Sequence, residues 1–524
     1  MGISNVKAQL LKLKLPVLSG ILIGTSYIPF PPWASLFCFV PLWIFWSRQS
    51  RMKDVLWGGF ACAFVFTLIG FNWVTYTLHE FAHLDWWVSV IGMLLFAILA
   101  HLFVPVAGAV WFFLSGPIDR KSWHSRWVMA LVTVLSQATV PTLFDWNFGY
   151  AWFASKVPIF HCAEIIGFSG LSALTLLLGL MSWAYWDSRQ RPKGRRILVA
   201  GLTLFLALNG TGVWLASSLP APDSVLRVLM VQGNIGNSEK MAAELGNGYQ
   251  DGILKTYMDL TDKGLREQGG GSIDFAIWPE TAFPDFLGKD IKTSPRRAEL
   301  ESFLKSRHLA LATGAYGFDF DSGKLTNSLF LLDREGKLVL PHYSKTILLA
   351  FGEYLPGEDW FPSIRTWLPP IGQFARGEGP THLIEWQGHR MGVQICYESL
   401  FPDFTRKWAD LGAQYLVNVT NDSWYGTWEE PRQHLMMTLG RAVEVRRPVL
   451  RTTNTGISTV GLASGQVMTE SPLHEAWSGI YEIPYQKHPD PTLYQETFWL
   501  VPFLLWAGLA QLTFAGWRGK RSEG

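Results

Sequence analysis

The sequence predicts a polytopic α-helical membrane bundle of about eight spans that carries an α/β domain on the outer side of the membrane. Charged residues make up 16% of the 524-residue chain, well below the roughly 25% of soluble chains. Hydrophobic residues reach 49% and there are 26 Trp, an aromatic type favoured at membrane–water interfaces. A long central segment differs from its flanks, with short apolar runs separated by polar helical stretches. The formal net charge of +2 argues neither for nor against nucleic acid, and no nucleic-acid partner is expected.

A helix that crosses a bilayer needs about 20 mostly apolar residues. Seven candidate spans precede residue 220, near 15–29, 34–47, 55–77, 87–115, 126–142, 168–187 and 196–217. The second is short enough to be tilted or partly interfacial. An eighth, "TFWLVPFLLWAGLAQLTFAGW", lies near 497–517. The first run is not read as a cleavable signal, because no small-x-small site follows it and further spans do.

Charge in the loops sets the expected orientation. Lys7, Lys12 and Lys14 precede the first span. Arg48, Arg51 and Lys53 occupy the second loop, and Arg120, Lys121 and Arg126 the fourth. The sixth loop holds Arg189, Arg191, Lys193, Arg195 and Arg196, and the tail Arg518, Lys520 and Arg521. The alternate loops hold almost no Lys or Arg, Lys156 being the exception. The positive-inside rule makes the basic loops cytoplasmic and the segment from about 220 to 490 extracytoplasmic. The expected domains are 1–220 with about seven membrane helices, 221–490 as an exported domain, and 491–524 as a last span with a basic tail.

The exported segment reads as alternating strands and helices. "LRVLMVQGNI", "IDFAIWPE", "LALATGAYG", "NSLFLLD", "HRMGVQICYE", "AQYLVNVTND" and "PVLRTTNTG" are the expected buried strands. Helical patterns fall near 238–267, 295–307, 400–411 and 431–446. That alternation indicates an α/β domain with helices covering its sheet. "GGGS" at 269–272 is expected to be a turn within it.

Three of its strands end in reactive residues. "FAIWPE" ends in Glu280, "LVLPHYSK" in Lys345 and "VQIC" in Cys396. Functional side chains collect at such strand ends. A thiol with a pKa of about 8.5 is mostly protonated at neutral pH, and Glu280 could take its proton. Lys345 could stabilise the oxyanion of a tetrahedral intermediate, together with a backbone N–H near Cys396. Each residue also has a bland reading. Cys396 could be a small core hydrophobe, Glu280 a cap for the following segment, and Lys345 a surface lysine. A Cys–His pair using His342 or His434 is the competing chemistry, and spacing alone leaves that choice open. The four cysteines, Cys38, Cys62, Cys162 and Cys396, form no CxxC or Cys/His cluster that suggests zinc. Neither a metal nor a nucleotide motif is present, so no cofactor is expected. Cys396 is the only cysteine of the exported segment, which leaves it no disulfide partner there.

"WPETAFP", "YSKTILLAFGEYLP" and "QICYES", in that order, resemble the nitrilase superfamily. That resemblance implies a Glu-Lys-Cys triad on an α-β-β-α sandwich. With "VQGNI", "NDSWYG", "QHLMMTLGRAVEVRRPVLRTTNTGIS" and the weaker "NFGYAWFASKVP", nearly the whole chain is similar to the apolipoprotein N-acyltransferases, membrane-bound members of that superfamily. By motif, the resemblance makes Glu280 the general base, Lys345 the oxyanion stabiliser and Cys396 the nucleophile. It makes Glu353 an acidic residue that orients Lys345 or Glu280. Tyr397 and Glu398 become supporting residues, and Trp424 an aromatic of the pocket. The family commonly has Lys-Trp after the "QGNI" strand, where this chain has Lys240-Met241.

The implied reaction is acyl transfer. Cys396 would take an acyl chain from a membrane phospholipid as a thioester, and the N-terminal amine of a diacylated apolipoprotein would receive it. The implied location is the bacterial inner membrane, with the catalytic domain on the extracytoplasmic side. A membrane-anchored amidase acting on a small amide is the alternative enzyme, although one tethering helix would suffice for that. A transporter or sensor is the non-enzymatic alternative. The spans are nearly devoid of charge, Glu164 being an exception, which disfavours it. Residues 355–379 show no strand or helix period and hold four prolines and four glycines, as binding loops often do. Trp360, Phe361 and Trp367 within them are expected either to meet the bilayer interface beside a lipid entrance or to pack on the domain's own core.

Overall fold

The computed structural model describes residues 12–522 apart from 81–83, 117–118, 143, 145, 245, 247, 268–271, 351, 356, 359 and 368–371. The predicted "GGGS" turn falls almost wholly outside the described residues. The chain divides into two compact units. One runs to Ser218 and resumes at Glu496, and the other is Leu219–Gln495.

The first unit is helical. Among its described residues, five segments are long and apolar enough to cross a membrane: Met52–Gly70, Trp86–Leu114, Pro158–Ser188, Pro192–Ser217 and Leu500–Arg518. The other three predicted spans also contain helix, but shorter: Lys14–Gly24, Val40–Ser47 and Trp123–Thr139. At about 1.5 Å per residue, the eight-residue helix Val40–Ser47 is far shorter than a hydrocarbon core.

Continuous apolar runs hide two breaks. Within 87–115 the helix Trp86–Leu99 stops before Phe103–Leu114 begins. Pro105 lies in the first turn of the second helix, where its missing N–H is tolerated. Within Ala163–Ser188, Gly167 takes φ 69° and ψ 166°, a conformation open to glycine. Glu164 is buried in the first turn of that helix, three residues before the break.

The second unit has four layers, α-β-β-α. Its strands are β1 (Ser224–Gln232), β2 (Phe275–Trp278), β3 (Leu311–Asp319), β4 (Lys324–Leu332), β5 (Leu338–Ser344), β6 (Ile384–Trp386), β7 (His389–Ile395), β8 (Tyr415–Thr420), β9 (Val449–Thr453), β10 (Thr459–Gly461) and β11 (Trp477–Tyr485). One sheet has the order β11-β1-β2-β3-β4-β5 and the other β10-β9-β8-β7-β6. The cores are parallel: β1, β2 and β3 in the first sheet, β7, β8 and β9 in the second. Both edges of each sheet are antiparallel.

Burial explains the strand sequences. β2, β8 and β9 are buried at every position, as expected of parallel strands covered on both faces. The sheets meet through their inner faces, where Phe275 of β2 stacks on Tyr415 of β8 with ring centroids 6.4 Å apart. On the outer face of the first sheet, Leu229, Trp278, Leu311 and Phe330 pack against Leu254, Tyr257, Leu300 and Leu304. Those four lie on the helices Gln250–Arg266 and Pro295–Arg307. The helices Pro402–Asp410 and Glu430–Val445 cover the second sheet.

The expected single helix over 238–267 is two, Asn237–Glu244 and Gln250–Arg266. Gly246, Gly248 and Tyr249 between them all have positive φ, which ends the first helix. β3 and β4 are antiparallel, as are β4 and β5, so β5 runs in the same direction as β2. Glu280 and Lys345 therefore emerge at the same end of the first sheet.

Candidate active site

The site starts from a strand register. On β5, alternate side chains face opposite sides. Tyr343 and Lys345 share one face, and His342 takes the other. There His342 stacks on Phe330 with ring centroids 4.6 Å apart, and Phe330 belongs to the outer core. The fold thus turns His342 away from the face that carries Lys345.

Lys345 is buried, 2% exposed. Its Nζ donates to Glu280 Oε1 at 3.3 Å and to Glu353 Oε1 at 2.9 Å. Asn327 of β4 ties the same two carboxylates together, with Nδ2 2.7 Å from Glu280 Oε1 and 3.1 Å from Glu353 Oε1. The backbone N–H of Leu349 donates to Glu353 Oε2 at 2.8 Å. Burial opposes the charge on Lys345, yet Glu353 and Glu280 hold its pKa well above the ordinary range. Glu353 thus meets Lys345 directly and Glu280 through Asn327. Glu280 caps no helix. Its turn packs so close to β3 that a Cβ on Gly314 would lie 2.5 Å from Thr281 N and 2.7 Å from Glu280 Cα. Only glycine admits that approach.

Cys396 directly follows β7 and opens the 3-10 turn Cys396–Leu400. Its φ is +52°, an uncommon conformation for a residue with a side chain and one that marks functional turns. Asn418 of β8 donates to its carbonyl at 3.2 Å, and Ser399 Oγ does so at 3.1 Å. Burial pushes the thiol far up, the Glu280 carboxylate adds to this, and the Lys345 ammonium opposes it. The resting thiol is therefore protonated. It lies within reach of the charges on both residues.

Glu398 links the two sheets. Its Oε1 accepts from Tyr343 Oη at 2.7 Å, Thr346 N at 2.6 Å and Ile347 N at 3.0 Å. Its Oε2 accepts from Ile395 N at 2.8 Å. The first three flank Lys345, and the fourth immediately precedes Cys396. Tyr397 is half-buried and meets Phe401 edge-on, ring centroids 5.1 Å apart.

Beyond β8 lies a buried polar cluster. Asp422 Oδ1 accepts from Thr420 Oγ1 at 3.0 Å and from His434 Nδ1 at 3.1 Å, and Asp422 Oδ2 accepts from Arg451 at 2.5 Å. Arg451 and His434 hold the Asp422 carboxyl well below its ordinary range against burial. The Thr420 hydroxyl also reaches the Cys396 thiol, and the His434 ring lies beside the Cys396 main chain. His434 thus belongs to this cluster, whereas His342 does not. Trp424 follows on the same segment and is half-exposed. Tyr425 beside it is buried within range of the Cys396 and Glu280 charges.

Trp360 and Phe361 are 83% and 68% exposed, so they do not pack on the domain's own core. Trp367 ends the 3-10 turn Pro362–Trp367, and its side chain lies outside the described residues. Asn327, Thr420 and Asn418 carry no sequence signal beyond being polar residues inside apolar strands. Tyr425 was within reach of sequence reasoning, because it sits in "NDSWYG" beside Trp424.

Glu398 supplies a pH test. Burial raises its carboxyl from 4.5 to about 7 despite four donors. The unfolded chain loses this proton near 4.5 and the folded chain only near 7, so Glu398 stabilises the fold below that interval. The contribution fades as pH rises through about 7. The melting-temperature advantage of the native protein over Glu398→Gln is expected to be larger at about pH 5 than at about pH 8. Scanning calorimetry at both values would read it, and an equal difference would sink the assignment.

Comparison with known proteins adds the family. The sequence model of the Carbon-nitrogen hydrolase family matches residues 229–477, and that of the Apolipoprotein N-acyltransferase N-terminal domain matches residues 19–181. The chain is 44% identical to the apolipoprotein N-acyltransferase of Bdellovibrio bacteriovorus over 489 residues, 91% of this chain and 89% of that protein. It is 28% identical to the Geobacter metallireducens enzyme of the same name, over 88% of this chain and 87% of that one. The Nostoc enzyme of that name is 26% identical over 94% and 96%. Matches of that length and identity, spanning both the helical unit and the sandwich, make the chain a member of the apolipoprotein N-acyltransferase family.

Proposed function

We propose that the protein moves an acyl chain from a membrane phospholipid, through a thioester on Cys396, to the N-terminal amine of diacylglyceryl-cysteine in apolipoproteins. The observation that carries this reading is the convergence of Cys396, Lys345 and Glu280 at strand ends of a sandwich, in a chain with several membrane-length apolar helices. In the first half-reaction Glu280 takes the Cys396 proton and the thiolate attacks the ester carbonyl. Lys345 and a backbone N–H near Cys396 stabilise the oxyanion. The lysophospholipid alkoxide leaves with the proton from Glu280. In the second half-reaction the amine attacks the thioester, Glu280 accepts its proton, and the departing thiolate recovers it.

Glu353 holds Lys345, Glu398 and Tyr397 support the nucleophile's turn, and Trp424 lines the pocket in this reading. Residues 1–220 and 491–524 form the membrane domain, with eight crossings, and 221–490 the catalytic domain. Both substrates carry bilayer-anchored chains, which many spans suit and a small soluble amide would not require. The basic loops lie in the cytoplasm and the catalytic domain outside the bacterial inner membrane.

Protein incubated with phospholipid alone is expected to gain one acyl mass on the Cys396 peptide, labile to hydroxylamine. Cys396→Ala gives none. Glu280→Gln and Lys345→Ala each slow acylation by at least about 10²-fold. His434→Asn, which keeps a donor for Asp422, retains the adduct. A folded His434→Asn protein without adduct would favour a Cys–His pair instead.

The orientation has its own test. A cysteine replacing Ser272 is labelled from outside intact spheroplasts by an impermeant thiol reagent, and one replacing Ser522 is not. The opposite pattern would invert the topology.

The exposed pair Trp360 and Phe361, with Trp367, is read as a wall of the lipid entrance that meets the bilayer interface. Polar substitution of all three slows acylation from membrane phospholipid. It spares reaction with a short-chain, water-soluble acyl ester and leaves the melting temperature nearly unchanged. Joint loss of both activities with a lower melting temperature would overturn the lipid-entrance reading.

A further inference from the structure

Lys240 is a second buried ammonium beside the catalytic carboxylates. It stands on the short helix Asn237–Glu244 that follows β1 and is 6% exposed. Its Nζ donates to the backbone carbonyl of Glu280 at 3.2 Å and to Thr281 Oγ1 at 3.3 Å. It also reaches Asn421 Oδ1 at 3.5 Å. Asn421 follows β8 of the opposite sheet, and Asn454 Nδ2 holds the same oxygen at 2.7 Å. Thr281 has a φ of +48°, so Lys240 grips a backbone turn that an ordinary residue adopts only under restraint.

Charge gives the lysine a second task. Glu280 and Glu353 share the single ammonium of Lys345, so two acidic side chains draw on one cation. Buried charge persists only when it is paired. The groups around Glu280 come from every neighbouring element. Lys345 and Glu353 come from the end of β5 and its following loop, and Cys396 from β7. Asn327 comes from β4, Tyr425 from the segment after β8, and Lys240 from the helix after β1. Of these, Lys240 is a second cation, and it meets Glu280 at the backbone carbonyl rather than at the carboxylate.

We propose that Lys240 is the positioning residue of the general base, tying the Glu280–Thr281 turn to the end of the opposite sheet and balancing the Glu280–Glu353 pair. It touches no reacting atom and acts through Glu280. The inference rests on the reading of Glu280 as base.

The test measures alkylation of Cys396 by iodoacetamide across pH in the full-length protein, followed on the Cys396 peptide by mass spectrometry. It needs no acyl donor, so it stands apart from the proposed substrates. Lys240→Gln keeps hydrogen-bond donors but removes the charge. It is expected to move the acid limb of the rate profile up by about one pH unit. Lys240→Arg keeps the charge and leaves the limb in place. A Lys240→Gln limb that coincides with the native one, or a rate lowered by the same factor at every pH, overturns the proposal. Glu280→Gln separates the underlying reading. Loss of the limb there with no movement in Lys240→Gln sinks only the lysine's role. A native limb in Glu280→Gln sinks the base assignment, and the inference with it.

Discussion

The site depends on one buried ammonium shared by two carboxylates. Lys345 lies between Glu280 and Glu353, with Asn327 bonded to both acids. A buried ion pair is tolerable only as part of a hydrogen-bonded set, because removing one partner leaves an uncompensated buried charge that costs about 3–5 kcal/mol. The set therefore constrains the chain around it. β4 must deliver Asn327, β5 must end at Lys345, and the loop after β5 must turn back so that Leu349 N–H meets Glu353.

The second sheet brings the thiol to this set through backbone geometry. Cys396 departs from β7 in a left-handed conformation, and Glu398, two residues on, reaches across to the N–H groups that follow Lys345. One side chain thus joins the turn that holds Cys396 to the loop that holds the ammonium. The thiol is left in a contest of fields. Burial and Glu280 keep its proton on, and Lys345 favours its release. In the proposed reading, proton transfer from thiol to Glu280 moves charge within the cluster without changing its sum, which suits a buried site.

Most of the central strands were legible because strands buried on both faces are rich in apolar residues. β1, β2, β3, β4, β7, β8 and β9 all fall within or across the expected runs. β6 and β10 are three residues each, too short for a pattern. β11 pairs with β1 over nine residues, yet its mixed burial and its Pro484 hide it, as suits an edge strand. Helix breaks escaped for the opposite reason. Hydropathy is blind to backbone angles, so the turns at Gly246–Tyr249 and at Gly167 left no trace in it.

The sequence by itself determined what local composition can encode: the apolar segments, the basic loops, and three reactive residues at the ends of β-rich runs. It could name Glu280, Lys345 and Cys396 by motif, together with Glu353 and Glu398. Only the tertiary structure decided which of these share a charge. Glu280 and Lys345 are 65 residues apart, Asn327 and Glu280 47, and Lys240 and Asn421 181. Such pairings leave no periodicity. They follow from strand direction and sheet order, which bring distant strand ends together in the buried interior, where polar groups need partners within the protein.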